Sequence, residues 1–272
     1  MVESDRYAVV GNPVKHSKSP DIHALFARQT GQNIRYSHLL APLDRFDITV
    51  RNFMEEGGKG LNVTVPFKRD AYLLSDVLTP RAKIAGAVNT LFRDSRKGIV
   101  GDNTDGKGLL TDLVRNEGLS LAGKSVLLLG AGGAARGVIQ PLLEQNPACL
   151  CIANRNLERA RELAALFSDA AIQVSPYGDL KDAFDIVINA TSAGLVQERP
   201  PVPAVVFNAR VFALDMVYGA PTPFMAFARQ HGAQVRDGLG MLVEQAAESF
   251  LVWRGVLPDT APVLAALRTG TI

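Results

Sequence analysis

The sequence has 272 residues, of which 47% are hydrophobic and 21% charged, and its formal net charge is +2. This composition is typical of a soluble globular protein with one large domain or two of ordinary size. The balance of 29 basic and 27 acidic residues argues against nucleic-acid binding. The absence of a long apolar run argues against a membrane span, and the polar start predicts a cytoplasmic protein.

The first third of the chain alternates predicted strands and helices. RYAVVGNP predicts a strand, SPDIHALFARQTG a helix with Ser19 as N-cap, NIRYSHLL a second strand, and DRFDITVRNFMEEGG a second helix. AGAVNTLFR and GIVGDNT predict the two strands of a hairpin. Strands that alternate with helices indicate a mostly parallel α/β sheet.

A third strand is predicted from GLNVTVPF, which alternates apolar and polar residues. Leu61, Val63 and Val65 are expected to face the core. Asn62 and Thr64 are then expected to share the opposite face, immediately before Pro66 ends the hydrogen-bonding ladder.

The remaining two thirds of the chain predict a helix that connects two domains, then a second α/β pattern. The helix is DGKGLLTDLVRNEG, and the strands after it are KSVLLLG, ACLCIANR, DIVINATS and VFALDMVY. GMLVEQAAESFLVWRGV and APVLAALRTG predict C-terminal helices. The predicted fold is therefore α/β with two domains: a mostly parallel α/β domain, residues 1–105 with the returning helices 242–272, and a second α/β domain, residues 106–241.

A G-x-G-x-x-A motif follows the first strand of the second α/β pattern. Gly130 permits a tight turn, Gly132 allows the backbone to approach a pyrophosphate, and Ala135 keeps the helix close to the strand. An ordinary glycine-rich turn is the alternative, but the strand before the motif and the helix after it favour a dinucleotide site.

The end of the next predicted strand indicates which dinucleotide binds. An NAD site carries an acidic residue there, whereas this chain has Asn154 and Arg155, with Arg159 one turn later. A guanidinium group suits a 2′-phosphate, so NADP is the predicted cofactor, although exposed arginines at a helix start are an open alternative. Residues 106–241 are therefore predicted to be a Rossmann-type NADP-binding domain. Cys149 and Cys151 have no histidine cluster beside them, so we expect no metal site.

The first third also contains polar residues that the core does not require, in HSKSP, NVTVPFK, GAVNT and GDNTDG. Most are uncharged donors and acceptors, which suit a substrate rich in hydroxyl groups, so residues 1–105 with 242–272 are predicted to be the substrate domain. Lys68 and Asp105 are the charged pair among them, and such a pair suits proton transfer beside a developing alkoxide.

Seven motifs together resemble the shikimate dehydrogenases, the NADP-dependent enzymes of aromatic amino-acid biosynthesis. In chain order they are GNPVKHSKSP, NVTVPFK, AGAVNT, GDNTDG, GAGGAA, NATS and DGLGMLVEQAA. They run from Gly11 to Ala247, so the resemblance covers nearly the whole chain. It implies reversible reduction of 3-dehydroshikimate to shikimate by NADPH.

The resemblance also implies roles for individual residues. Lys68 and Asp105 match the catalytic pair, in which the lysine protonates the carbonyl oxygen and the aspartate orients the lysine. The residues that match substrate contacts are Ser17, Ser19, Asn62, Thr64, Asn89, Tyr218 and Gln245. The residues that match cofactor contacts are Gly130, Ala131, Gly132, Gly133, Ala134, Asn154, Arg155, Asn156, Arg159, Thr191, Ser192, Met216 and Gly240.

One departure from the family pattern affects the cofactor site. Asn156 stands where the family often has threonine, which puts one contact to the 2′-phosphate in question. A quinate/shikimate dehydrogenase or another paralogue is the nearest alternative function, and a nucleotide-sensing protein with a vestigial site is an alternative of another class. We expect a monomer or a homodimer that binds neither nucleic acid nor membrane.

Overall fold

The computed structural model describes residues 4–167 and 171–271, which form two compact units. Unit 1 comprises Met1–Gly108 and Val243–Ile272, and unit 2 comprises Leu109–Leu242. Each boundary falls inside a helix rather than in a loop, because α5 begins at Asp105 and α9 runs from Leu239 to Arg254.

Unit 1 is built around a six-stranded mixed sheet within the described residues, with the strand order β2-β1-β3-β5-β6-β4. Strands β1, β2 and β3 are parallel, and β5 forms antiparallel pairs with both β3 and β6. The strands are β1 Asp5–Gly11, β2 Ile34–Leu40, β3 Gly58–Val63, β4 Val77–Leu78, β5 Thr90–Asp94 and β6 Gly98–Asp102. The predicted hairpin is confirmed as β5 and β6.

The helices of unit 1 come from both ends of the described chain. They are α1 Ser19–Thr30, α2 Phe46–Glu55, α3 Lys68–Leu74, α4 Pro80–Ala85, the start of α5 Asp105–Thr111, most of α9 Leu239–Arg254, and α10 Ala261–Thr269. Sequence patterns predicted α1, α2, α5, α9 and α10. The short elements α3, β4 and α4 were missed because two to seven residues carry too little periodicity to identify.

Two details of the sequence interpretation of unit 1 are wrong. Lys18, not Ser19, is the N-cap of α1, and Ser19 is its first residue. Strand β3 ends at Val63, so Val65 lies outside the predicted alternation and is 57% exposed rather than in the core. The backbone turns after Thr64 to begin α3, and the Phe67 N–H donates to the carbonyl of Thr64.

Unit 2 contains a six-stranded parallel sheet in its described residues, with the order β12-β11-β10-β7-β8-β9. This is the strand order of dinucleotide-binding Rossmann folds, in which the order reverses between β7 and β10. Successive residues of β7 belong to two different hydrophobic clusters, Val126 and Leu128 to one and Leu127 and Leu129 to the other. Both faces of the sheet are therefore covered, as the apolar runs predicted.

The elements of unit 2 include two strands, β9 and β12, that the sequence patterns did not predict. The strands are β7 Ser125–Leu129, β8 Cys149–Ala153, β9 Ile172–Ser175, β10 Ile186–Asn189, β11 Phe212–Asp215 and β12 Gln234–Arg236. The helices are α6 Gly133–Leu143, α7 Leu157–Ala164 and α8 Pro223–Gln230, and a π-helical turn, Asp112–Asn116, follows α5. No described helix is long and apolar enough to cross a membrane.

Candidate active site

The predicted catalytic pair is assembled in unit 1 from the starts of two helices. Lys68 is the first residue of α3, and Asp105 is the first residue of α5. The Lys68 ammonium donates a hydrogen bond to Oδ2 of Asp105 at 2.6 Å. The Lys68 side chain is 30% exposed and that of Asp105 only 9%, so a buried carboxylate holds an ammonium group that can still be reached.

Asn89 fixes the other oxygen of the carboxylate. Its Oδ1 accepts the backbone N–H of Thr104 at 2.8 Å, which determines how the amide is oriented. Nδ2 therefore donates to Asp105 Oδ1 at 2.9 Å and to Gln245 Oε1 at 3.1 Å. Three predicted site residues are thus joined by one amide group.

Gln245 reaches this position because α9 approaches α5 very closely at Gly108. A β-carbon added to Gly108 would lie 2.6 Å from Cβ of Gln245 and 2.7 Å from its backbone nitrogen. Only glycine permits this approach, so Gly108 sets the position of Gln245 beside Asn89.

Asn62 is 5% exposed, and both ends of its amide are hydrogen-bonded within unit 1. Oδ1 accepts the Tyr36 hydroxyl at 2.8 Å and contacts Nε2 of His23 at 3.2 Å. Nδ2 donates to the carbonyl of Asn89 at 3.2 Å and to the Ser249 hydroxyl at 3.0 Å. Asn62 therefore joins β3 to Asn89, the residue before β5, and to Ser249 of α9.

His23 is a neutral imidazole in this network. Burial lowers its pKa to about 3, and the hydrogen bond to Asn62 offsets only part of that shift. Its ring stacks on Tyr36 with the centroids 4.2 Å apart. Because Asn62 presents an oxygen, Nε2 carries the proton, and Nδ1 has no partner among the described residues.

The two serines of the HSKSP motif lie together at the start of α1. The Ser17 hydroxyl donates to Ser19 Oγ at 3.1 Å and accepts the Ser19 backbone N–H at 3.3 Å. Ser19 also hydrogen-bonds to Tyr36 and so connects with Asn62. Thr64, which is half-buried, packs its methyl group against Gly11.

A charged cluster behind Asp105 was missed by the sequence interpretation. Arg81 on α4 forms a two-pronged ion pair with Asp102 at 2.7 and 2.6 Å, and its third nitrogen donates to Glu248 at 2.7 Å. Burial raises the pKa of Asp102, but the hydrogen bond and charge of Arg81 outweigh it, so the pKa lies below its usual value. The three residues are far apart in sequence; Asp102 belongs to the GDNTDG motif, but no motif pairs it with Arg81 or Glu248.

Ten of the thirteen predicted cofactor residues line one cavity of about 670 Å³ in unit 2, whereas Asn156, Met216 and Gly240 are not among its lining residues. The cavity is bounded by the loop after β7, the end of β8 and the loop after β10, and it contains Gly130, Ala131, Gly132, Gly133, Ala134, Asn154, Arg155, Arg159, Thr191 and Ser192. A β-carbon on Gly132 or Gly133 would meet no atom within 4 Å, so the backbone at the start of α6 is open to a ligand. These features fit a pyrophosphate at a helix N-terminus.

Two arginines that follow β8 line the same cavity: Arg155 lies between β8 and α7, and Arg159 lies in the first turn of α7. Asn156 is the N-cap of α7, and its Oδ1 accepts the Arg159 backbone N–H at 3.2 Å. The Asn156 side chain therefore stabilises the start of α7. Tyr177 also lines the cavity; burial raises the pKa of Tyr177, and the charge of Arg155 partly offsets the shift.

The remaining predicted contacts of unit 2 follow β10 and β11 or begin α9. Thr191 donates both its N–H and its hydroxyl to Asn189 Oδ1, and Met216 and Tyr218 are half-buried after β11. Gly240 is buried, and an added β-carbon would overlap the carboxylate of Asp112. Gly240 can therefore meet a ligand only through its backbone.

The fold and these residues define an α/β protein with a Rossmann unit of the kind found in NAD(P)-dependent oxidoreductases. No cluster of three or more histidine, cysteine or acidic residues suited to a metal occurs among the described residues. Family profiles match along most of the chain: the shikimate dehydrogenase substrate-binding domain at residues 9–91, shikimate/quinate 5-dehydrogenase at 112–200, and the shikimate 5′-dehydrogenase C-terminal domain at 238–268. The chain belongs to the shikimate dehydrogenase family.

Individual relatives agree with this assignment. The chain is 62% identical to the shikimate dehydrogenase (NADP(+)) of Herminiimonas arsenicoxydans over 267 residues, 97% of each protein. The structure is similar to an Ael1 enzyme from Pseudomonas putida, with 47% identity, a TM-score of 0.93 and coverage of 97% of this chain and 98% of the other. It is also similar to the shikimate 5-dehydrogenase of Thermus thermophilus in complex with NADP(H) and shikimate, with 33% identity, a TM-score of 0.86 and coverage of 97% and 99%.

Proposed function

We propose that the protein catalyses the reversible, NADPH-dependent reduction of 3-dehydroshikimate to shikimate in aromatic amino-acid biosynthesis. The observation that carries the proposal is the Lys68–Asp105 pair, whose ammonium is accessible and whose carboxylate is buried and held by Asn89. Relatives that share most of the chain are named for this activity.

The roles of the pair follow from its charges. The ammonium of Lys68 stabilises negative charge on the substrate oxygen and donates the proton that this oxygen needs. Asp105 holds Lys68 in place, and it can accept a hydrogen bond from a neighbouring substrate hydroxyl. Asn89 and Gln245 offer amide groups beside the same carboxylate, which suits a polyhydroxylated ring.

The carboxylate of the substrate requires donors at another point. Ser17 and Ser19 place two hydroxyls 3.1 Å apart at the start of α1, where the helix dipole also favours an anion. We assign these two serines to the substrate carboxylate. Tyr218, which the family resemblance also implies as a substrate contact, stays a prediction. The ring hydroxyls are assigned to Asn62, Thr64, Asn89 and Gln245.

NADP fits the cavity of unit 2. The nicotinamide, when bound, supplies the hydride; the protein supplies the backbone donors of the glycine loop for the pyrophosphate and Arg155 and Arg159 for the 2′-phosphate. The cavity also contains Glu198, but at the end of β8, where NAD sites carry an acidic residue, this chain has Asn154 and Arg155. The charge at that position favours NADP over NAD.

Steady-state kinetics with four substrate pairs tests the proposal: shikimate or quinate, each with NADP or NAD. We expect the highest kcat/KM with shikimate and NADP. A preference for quinate would favour the quinate/shikimate dehydrogenase alternative, whose name is shared by the profile that matches residues 112–200. Tight NADP binding without turnover of either acid would instead identify a nucleotide-sensing protein.

A further inference from the structure

We propose that Arg81 is a positioning residue for this reaction: its guanidinium group connects the turn that carries Asp105 to the helix that carries Gln245. The proposal rests on the proposed function, because it assigns Arg81 a part in the turnover of shikimate. Arg81 lies outside the seven sequence motifs. Its hydrogen-bond partners among the described residues are Asp102 and Glu248, not Lys68 or Asp105.

The first connection runs from Arg81 to the backbone of Asp105. Arg81 binds both oxygens of Asp102, and Oδ1 of Asp102 accepts the Asn103 backbone N–H at 2.8 Å. Oδ1 of Asn103 then accepts the Asp105 backbone N–H at 3.1 Å. Each step fixes the next residue of the turn, so the position of Asp102 determines where α5 begins.

The same carboxylate is also tied to α4 through Thr79. The Thr79 hydroxyl donates to Asp102 Oδ1 at 2.5 Å, and it accepts the Ala82 N–H as the N-cap of α4. Asp102 is 3% exposed and accepts hydrogen bonds on both oxygens. A buried carboxylate so fully bonded has little freedom to move.

The second connection runs from Arg81 to α9. Nη1 of Arg81 donates at 2.7 Å to Oε1 of Glu248, which lies nearly one helical turn after Gln245. Residues three apart on a helix lie on the same side, so the bond to Glu248 fixes the axial position and rotation of α9 at Gln245. The planar guanidinium thus sets two groups of the candidate site relative to one another, which an ammonium on a flexible chain does not do.

The test is Arg81→Lys, which keeps the positive charge but loses the planar guanidinium group that binds both oxygens of Asp102. We expect kcat for shikimate oxidation to fall by roughly ten- to a hundredfold, because displacements near 1 Å at reacting groups have effects of that size. The KM for shikimate should rise, and the KM for NADP should change less than about twofold, since the cofactor cavity contains no residue of unit 1. Glu248→Leu, which cuts only the connection to α9, should raise the KM for shikimate more than it lowers kcat.

Arg254→Lys is the matched control. Arg254 is the last residue of α9 and is likewise paired with a partly buried carboxylate of unit 1, Asp5, and it also bonds to Gln32 and Tyr7. It is outside the proposed catalytic and binding groups. The control should lose comparable stability in urea unfolding, with kcat and KM within about twofold of the parent.

Three outcomes decide the matter. If the parent turns over shikimate and Arg81→Lys does so with unchanged constants, or with the same losses as Arg254→Lys, Arg81 is only a structural residue and the proposal fails. If Arg81→Lys does not fold, Glu248→Leu carries the test, and an unchanged KM for shikimate refutes the proposal. An inactive parent refutes the proposed function itself, before any variant is compared.

Discussion

Replacing Gly108 with alanine tests how closely the candidate site depends on the approach of α9 to α5. The new β-carbon would lie 2.6 Å from Cβ of Gln245, whereas ordinary contacts begin at 3.4 Å. The nearest atoms belong to the backbone and Cβ of Gln245, so no flexible side chain can move aside. Relief therefore requires a displacement of about 0.8 Å between the two helices.

This displacement acts on the hydrogen bond between Asn89 and Gln245, which is 3.1 Å long in the parent. We expect kcat/KM for shikimate to fall by roughly a hundredfold, since a shift near 1 Å has that effect on positioned groups. Overpacking should also lower the free energy of unfolding by about 1–3 kcal/mol.

The assay is steady-state oxidation of shikimate, followed by NADPH absorbance, together with urea unfolding. Gly178→Ala serves as the control, because a β-carbon there meets no atom within 4 Å and Gly178 is absent from the glycines with positive φ. A Gly108→Ala variant with parental kcat/KM would refute the inference that this contact positions Gln245.

Three further predictions concern chemistry, cofactor and pH. Lys68→Ala should lower kcat by roughly 10²–10⁴, with a smaller change in the KM for shikimate; a raised KM at unchanged kcat would make Lys68 a binding residue. Arg155→Ala should raise the KM for NADP by about ten- to a hundredfold, the usual effect of losing a hydrogen bond to a charged group, and should leave the KM for NAD nearly unchanged. Equal increases in both KM values would contradict recognition of the 2′-phosphate by Arg155. The pKa of His23 falls from 6.5 to about 3 on folding, so as the pH drops the unfolded chain binds a proton on His23 before the folded protein does. Below pH 6.5 this residue should therefore lower the free energy of unfolding by up to about 1.4 kcal/mol per pH unit. Urea unfolding between pH 7 and 5 should show a shallower loss for His23→Gln than for the parent, and equal slopes would exclude His23 as the cause.

The parts of the fold that could be predicted are those whose signals are local. The glycine loop lies directly between an apolar strand and a helix, so β7 and α6 were recognisable from about twenty consecutive residues. The hairpin of β5 and β6 was equally local. Strands β12 and β9 have three and four residues and lack the apolar runs that identified the equally short strands β10 and β11.

The candidate site shows the same limit. The motifs indicated Lys68, Asp105 and Asn89, but not how the three are joined, because the amide orientation of Asn89 depends on a backbone N–H fifteen residues away. The bonds of Arg81 cross 21 residues to Asp102 and 167 to Glu248. Such pairings depend on tertiary packing, so the residues around each partner do not indicate which residue it will bind.

The composition of unit 1 from two distant segments has a consequence for synthesis on the ribosome. Asn62 and Asn89, both buried, are hydrogen-bonded by Ser249 and Gln245 of α9, and Arg81 by Glu248. A nascent chain that ends before α9 therefore lacks these partners, and water must hydrogen-bond to the amides in their place until α9 has been made. The residues of unit 2 are contiguous, so its sheet can form while unit 1 is still incomplete. The first segment to be synthesised is therefore expected to be the last to complete its hydrogen bonds. Chaperones would bind that segment in the interval.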